Sequence, residues 1–590
     1  MKFIETTHWD EFEEANSLLF LAQLLHEMLF DYTLDTYKPN ALNVHSLIHE
    51  ALVISEKISD GSIKEGNFEH VRNELKMSLS KDVTLKRILK DKHSHYVEQI
   101  KKSKNHEELT IILDSLHYYL SRKKYFSGLK ETLKSEIKSG KSKSNIFSVT
   151  RSLITEILEY GYEKSYIYNA VNSTFFNQKN KVNSIDLLDE FFDNFNFEKK
   201  KFKVTFICSP EFHKIKPTVK SFGLKVAKKL NNLPKIPATN KFLEGRYESC
   251  AFVIEEKVEA LDHAAARNRS EEKLKFISDL YSFYNHQHQF KIESNAYVRD
   301  ISSGYCLNIS RQTDAITKGI DHTPSEIPVI VESLRKNMSL DSDSLYRFAK
   351  AIQLHRLAIN AKELENQLLD LWAAIETLVP NQPNSQKNRI QQIVEYLSPV
   401  LSINYMQKLL SELNKDIDLW NKDFFMELLE EVNEGENSVE KLALIISDKT
   451  LEKVFKKLDD KLEVFPLLKN RVGTYKKWCS DSKELFALLE RHWQKVSWQI
   501  RRIYRARNAI IHNGEKPHQL DILVENLHAY LDSCIKGISD LIIDNKGESV
   551  SQFFIETQIL FSEHMEALRK NGNRETTKDN FRKLIFGKVE

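Results

Sequence analysis

Apolar residues recur at three- and four-residue steps through most of this chain, the period of helices that bury one face. "ANSLLFLAQLLHEMLFDYTLDTY", "HSLIHEALVISEKI", "EELTIILDSLHYYLSRKKYF" and "SIDLLDEFFDNF" predict a helical domain over residues 1–195. The texture changes near residue 196. "KKKFKVTFICSPEF", "YESCAFVIEEKVEALD" and "FKIESNAYVRDI" are rich in β-branched and aromatic residues and predict strands. "HAAARNRSEEKLKFISDLYSFYN" predicts a helix between the last two, so a small α/β domain is expected over 196–335, with "HTPSEIP" (322–328) as the linker out of it. From residue 340 the helical period returns in "DSLYRFAKAIQLHRLA", "KELENQLLDLWAAIETLV", "QKNRIQQIVEYL" and "NYMQKLLSELNKDI". "SDSKELFALLERHWQKVSWQIRRIYRARNAIIH" predicts one long helix closed by Asn513-Gly514, and "QLDILVENLHAYLDSCIKGISDLII" a second that packs back on its own apolar stripe. The expected fold is therefore mainly α. A helical bundle covers 336–548, and a further helix and charged tail fill 549–590.

Composition narrows the function classes. A chain of 590 residues exceeds one hydrophobic core, and only 16 Gly and 12 Pro favour long helices over many short strands. The net charge of +2 makes the whole molecule no electrostatic glove for nucleic acid, so any basic surface is local. The five cysteines are scattered, with no CxxC and no His near a metal-ligand spacing, which argues against a disulfide framework and a structural zinc site. No metal and no cofactor is expected. "MKFIETTHWDEFEE" is acidic where a signal peptide needs a basic region, and no apolar run reaches the ~18 residues of a membrane span. A cytoplasmic protein without membrane contact is the expectation. The lysines of 121–144 fit a solvated face ending in an exposed loop. The α/β domain has no phosphate-cradling glycine loop, and its candidates for chemistry are His263, His286 and His288, which lack a third ligand of suitable spacing.

The chemistry-bearing stretch is "QIRRIYRARNAIIHNGEKP", residues 499–517. At about 100° per residue the long helix shows two stripes. Trp493, Val496, Ile500, Ile503, Tyr504, Arg507 and Ile511 share one face, and Arg501, Arg505, Asn508 and His512 another. Arg507 thus falls on the apolar face, where a lone guanidinium is costly. Glu376 in "LWAAIETLV" is the expected partner, although a paired arginine at a groove edge can still meet a phosphate. The second stripe fits either a solvated basic helix face or phosphate grips. RNA cleavage without a metal needs a base for the 2′-hydroxyl, an acid for the leaving oxygen and positive charge on the phosphorane. Histidine and arginine supply these.

"RNAIIH" resembles the R-polar-x-x-x-H signature of HEPN domains (higher eukaryotes and prokaryotes nucleotide-binding), with Arg507, Asn508 and His512 in the signature positions. The wider "WQIRRIYRARNAIIHNG", with the upstream "LWAAIETLV" helix, is similar to the Apea-like HEPN branch over roughly 340–545. The resemblance implies a helical bundle that forms a homodimer and a metal-independent endoribonuclease acting through 2′-hydroxyl attack. Arg507 and His512 would be catalytic, Asn508 would orient the histidine or the phosphate, and Arg501 and Arg505 would bind RNA. It also implies an anti-phage toxin of abortive-infection type, answering a phage-derived trigger and acting on RNA, with tRNA, rRNA and message open as targets. The alternative is a non-catalytic HEPN module that binds a nucleotide or a partner. The stretch from about 418 to 482 exceeds a minimal bundle and fits a substrate or regulatory insertion, or bundle extension.

Overall fold

In the computed structural model the described residues are 1–30, 33, 37–38, 42–61, 66, 68–230, 233–287, 290–317, 322–517, 519–544, 547–570 and 575–588. Helix accounts for 68% and strand for 7%, so the fold is mainly α as the periodicity predicts. No helix of the described residues is long and apolar enough to cross a membrane.

The helices divide between two large apolar cores. The first gathers Leu21 and Leu25 of helix Ala15–Met28, Leu153 and Ile157 of helix Lys143–Tyr160, and their neighbours up to Phe195. It also holds Leu409 and Leu413 of helix Tyr405–Trp420, Ile445 of helix Ser438–Ser447, Leu468 and Val472 of helix Pro466–Cys479, and Leu584 and Ile585 near the C-terminus. The stretch that looked like an insertion therefore packs with the N-terminal helices. Arg471, 1% exposed, clasps this union: it pairs with Asp416, lies 3.8 Å from Glu27 and sits 3.7 Å over the Tyr37 ring. A buried guanidinium tolerates desolvation only with such partners.

The second core is the bundle proper. It joins Phe348 of helix Ser342–Asn360, Trp372 and Ile375 of helix Leu364–Leu378, and Ile393 and Leu397 of helix Arg389–Ile403. Val496, Ile500 and Ile503 of helix Ser482–Asn513, Leu527 and Leu531 of helix Leu520–Ile543, and Phe554 of helix Val550–Lys570 complete it. The Ser482–Asn513 helix contributes Leu485 and Leu489 to the first core and its later turns to the second, so one rigid rod runs through both. Helix Val550–Lys570 does the same, with Phe554 in the bundle and Leu568 in the first core. By core membership, the 405–489 stretch and the C-terminal tail go with residues 1–195 rather than with the bundle around them.

Gly537 on helix Leu520–Ile543 lies close against Phe553 of helix Val550–Lys570. A Cβ there would lie 2.5 Å from the ring of Phe553. Gly537→Ala is expected to destabilise the protein by about 1–3 kcal/mol through overpacking, read as a lowered Tm. An unchanged Tm would contradict this close contact.

Between the helical parts lies a five-stranded sheet, β1 (Lys200–Cys208), β2 (Leu224–Ala227), β3 (Ala251–Ala260), β4 (Ile292–Asp300) and β5 (Cys306–Ser310), in the order β2-β3-β1-β4-β5 with every pairing antiparallel. β1, β3 and β4 are the predicted strands; the short edges β2 and β5 carry too few apolar alternations to stand out. Helix His263–Tyr284, N-capped by Asp262 accepting from the Ala265 N–H at 2.8 Å, buries Ala266, Leu274 and Ile277 among Phe206, Val253 and Val298. The predicted exit linker turns helical at once, in Glu326–Lys336.

Candidate active site on the long helix

Helix Ser482–Asn513 starts where the Asp481 side chain accepts the Lys483 N–H at 2.7 Å. It stops at Gly514, which takes a left-handed φ of 64° that suits glycine, and the N–H groups of Gly514 and Glu515 close on the carbonyls of Ile510 and Ala509. The motif therefore occupies the last two turns of a rod whose position is fixed by both cores.

The structure sorts the arginines of this tract. Arg502, 9% exposed, is the buried one. Its Nε and Nη2 donate to the two oxygens of Glu50 at 3.0 and 2.9 Å, and Nη2 reaches Glu74 at 2.7 Å. Arg505 donates to the same Glu50 at 2.9 Å. Glu50 belongs to helix Val44–Ser59 and Glu74 to helix Phe68–Lys81, so the N-terminal helices cover one flank of the motif helix. Burial raises the Glu50 pKa, but the Arg502 and Arg505 charges outweigh it and hold the carboxyl at about 2. His70, on the same flank, is pushed down to about 3 by burial and by Arg501 and Arg505.

Arg507 is half-buried, and its Nη1 donates to Asn508 Oδ1 at 3.0 Å. The expected pair with Glu376 does not form: among the described residues no carboxylate pairs with Arg507. Glu376 instead faces Arg389, whose guanidinium hydrogen-bonds the Glu376 carbonyl at 2.7 Å and whose pKa, lowered by burial, the Glu376 charge raises. The reason lies in where the core ends. Arg507 points along the core direction, but Ile510 beside it is only partly buried and Ile511 is exposed, so the long side chain can reach solvent without a buried partner. His512, one turn beyond Asn508, is exposed. The loop that follows is tied to the N-terminal helices: Lys57 pairs with Glu515 at 2.9 Å, and Gln519 donates to Glu159 at 3.0 Å.

Arg501 lies about 16 Å back along the helix from His512. It is half-buried, with no carboxylate partner among the described residues, and borders an open cavity of about 420 Å³ lined by Lys387, Gln391, Trp493, Gln558 and Phe561. Arg507, Asn508 and His512 thus occupy the last two turns of the helix, Arg501 borders a separate groove, and Arg505 is held by Glu50. Glu50, Glu74, His70 and Arg502 escape single-sequence reasoning, because Glu50 and Arg502 are 452 positions apart.

His263 and His286, at opposite ends of helix His263–Tyr284, do not converge. His263 is buried against the Phe202 ring at 4.9 Å, His286 sits in an exposed turn, and His288 lies outside the described residues. No protein-family model, curated protein or solved structure matches this chain.

Proposed function

We propose that this chain is a metal-independent endoribonuclease of the HEPN type, working through Arg507, Asn508 and His512. The observation that carries this reading is the sorting of the arginines: Arg502 and Arg505 pair with Glu50 and Glu74, whereas Arg507, five positions before the exposed His512, pairs with no carboxylate among the described residues. Asn508 supports the reading by holding the guanidinium in place from the next position. In the reaction the 2′-oxygen attacks the adjacent phosphorus, its proton passes to a base, and the P–O5′ bond breaks as the 5′-oxygen takes up a proton. A 2′,3′-cyclic phosphate and a 5′-hydroxyl result. Arg507 stabilises the charge that builds on the phosphorane, and His512 serves in proton transfer.

One histidine per chain covers one of the two proton transfers, which favours a homodimer that brings two motifs into one cleft. An exposed apolar stripe on helix Ser342–Asn360, with Leu345, Ile352 and Ile359 at seven-residue steps and each at least 40% exposed, supports a second copy. Arg501 is the remaining phosphate grip, with Trp493 beside it in the groove as a surface on which a base can stack. The anti-phage setting rests on the resemblance of the motif alone.

Expression of the wild type beside His512→Ala, followed by total-RNA analysis, tests the assignment. Cleavage by the wild type only is expected; equal cleavage by both would remove His512 from the chemistry, and no cleavage by either would leave a binding module as the reading. Arg501→Ala is expected to weaken RNA binding and reduce the slope of log K against log salt by about 1. An unchanged slope would remove Arg501 from the RNA path.

A further inference from the structure

Two helices of the bundle meet at a trio of metal-ligand side chains outside the motif. His355 of helix Ser342–Asn360 places its Nε2 2.8 Å from Nε2 of His528 on helix Leu520–Ile543. The imidazole rings are parallel within 4°, with centroids 5.0 Å apart. Asp532, one turn beyond His528, completes the group: its Oδ1 is 3.5 Å from His355 Nε2 and its Oδ2 3.6 Å from His528 Nε2. The three donor groups lie within 4.8 Å of one another.

We infer that His355, His528 and Asp532 form a binding site for a divalent transition-metal ion of the zinc class, bridging the two helices. The spacing is the first reason. A tetrahedral ion at about 2.0–2.1 Å from each donor separates its ligands by about 3.3 Å. The two imidazole nitrogens stand about half an ångström from that separation, and one ligand atom from each of the three residues lies within 4.8 Å of the others, so side-chain rotations admit the ion. The helical register is the second reason: residues at i and i+4 present their side chains on one face, the arrangement by which a helix offers two ligands to one ion. Donor chemistry is the third. Two imidazoles and a carboxylate suit Zn²⁺, Co²⁺ or Ni²⁺, whereas Ca²⁺ and Mg²⁺ take oxygen ligands. His355 and His528 are mostly covered, while the Asp532 side chain is 51% exposed, which leaves an entry path and an open position for water. The other comparable group among the described residues, His45 with Glu156 and Glu159, already holds the Arg122 guanidinium at 3.2 and 3.3 Å, so a cation there would meet a positive charge.

The site contains none of Arg507, Asn508 and His512 and stands or falls separately from the nuclease reading. Chelator-stripped full-length protein titrated with Co²⁺ tests it. One equivalent is expected to bind with a visible d–d absorption that Zn²⁺ displaces. Zn²⁺ should also raise the Tm of the wild type, because it binds only the folded chain. His355→Ala and His528→Ala should each weaken Co²⁺ binding by about 100-fold or more, and Asp532→Asn, an isosteric change at a half-exposed position, by about 10-fold or more. Co²⁺ bound with unchanged affinity by both His355→Ala and Asp532→Asn would overturn the site. So would a wild type that binds no Co²⁺ at micromolar concentration, which would leave the two imidazoles as a hydrogen-bonded pair.

Discussion

His512→Ala and Arg507→Ala each lower the rate of RNA cleavage by about 10²–10⁴-fold, the range by which a positioned proton-transfer group or a single charge on the transition state accelerates such a reaction. The two variants should fail differently. His512 is exposed, and no described residue hydrogen-bonds its side chain, so His512→Ala should keep the wild-type Tm and RNA affinity while losing turnover. Arg507 is half-buried, but its one side-chain hydrogen bond among the described residues is to Asn508, so its loss should cost little stability beyond packed side-chain stem. Arg507→Lys should recover only part of the rate, since an ammonium cannot meet two phosphate oxygens in the fork geometry of a guanidinium. Single-turnover cleavage at saturating RNA, with Tm measured on the same samples, checks all three. Wild-type turnover in His512→Ala would remove the histidine from the chemistry.

Arg502→Ala is expected to produce a large loss of stability, about 3–5 kcal/mol, because it removes the cation that Glu74 and Glu50 share and leaves Glu50 with Arg505 alone. Denaturant unfolding of the full chain reads the effect, and a loss below about 1 kcal/mol would contradict the joint. The same joint gives the protein an acid sensitivity. The Glu50 carboxyl is depressed in the fold to about 2 from an ordinary 4.5, so its contribution is complete above pH 4.5 and is lost as the pH falls through 2. His70 acts over a higher window. It is held neutral, with a pKa lowered from 6.5 to about 3, so the unfolded chain binds its proton more readily and stability falls as the pH drops from 6.5 towards 3. Glu50→Gln should flatten the stability profile in the lower window, and His70→Gln in the upper one. A profile unchanged by both would mean that neither group titrates as the packing implies.

These effects follow from features that differ in how far a single sequence discloses them. Helices and the three inner strands show in the chain because each carries its own apolar period, whatever it packs against. An apolar stripe does not name its partner. The helices of 405–489 carry ordinary amphipathic patterns, and only the fold assigns them to the N-terminal core rather than to the bundle on either side. The motif helix shows the same limit at single residues. A projection with one buried stripe puts Arg507 on it and leaves Arg502 about 140° away, yet that side is buried too, under helices from the other end of the chain. At the C-terminal end of the rod the core thins, and there Arg507 gains access to solvent. The trio of His355, His528 and Asp532 escapes the sequence reading: His528 and Asp532 stand at i, i+4, a spacing common on any helix, and His355 is 173 positions from His528.

The central claim is tested most directly by the ends that the protein leaves on RNA. Full-length wild type and His512→Ala are incubated with total RNA in excess chelator, and the product termini are determined. The wild type should yield fragments with 2′,3′-cyclic phosphate and 5′-hydroxyl ends, and His512→Ala should leave the RNA intact. Products with 3′-hydroxyl and 5′-phosphate ends, cleavage that needs added metal, or the same fragments from His512→Ala would contradict the assignment.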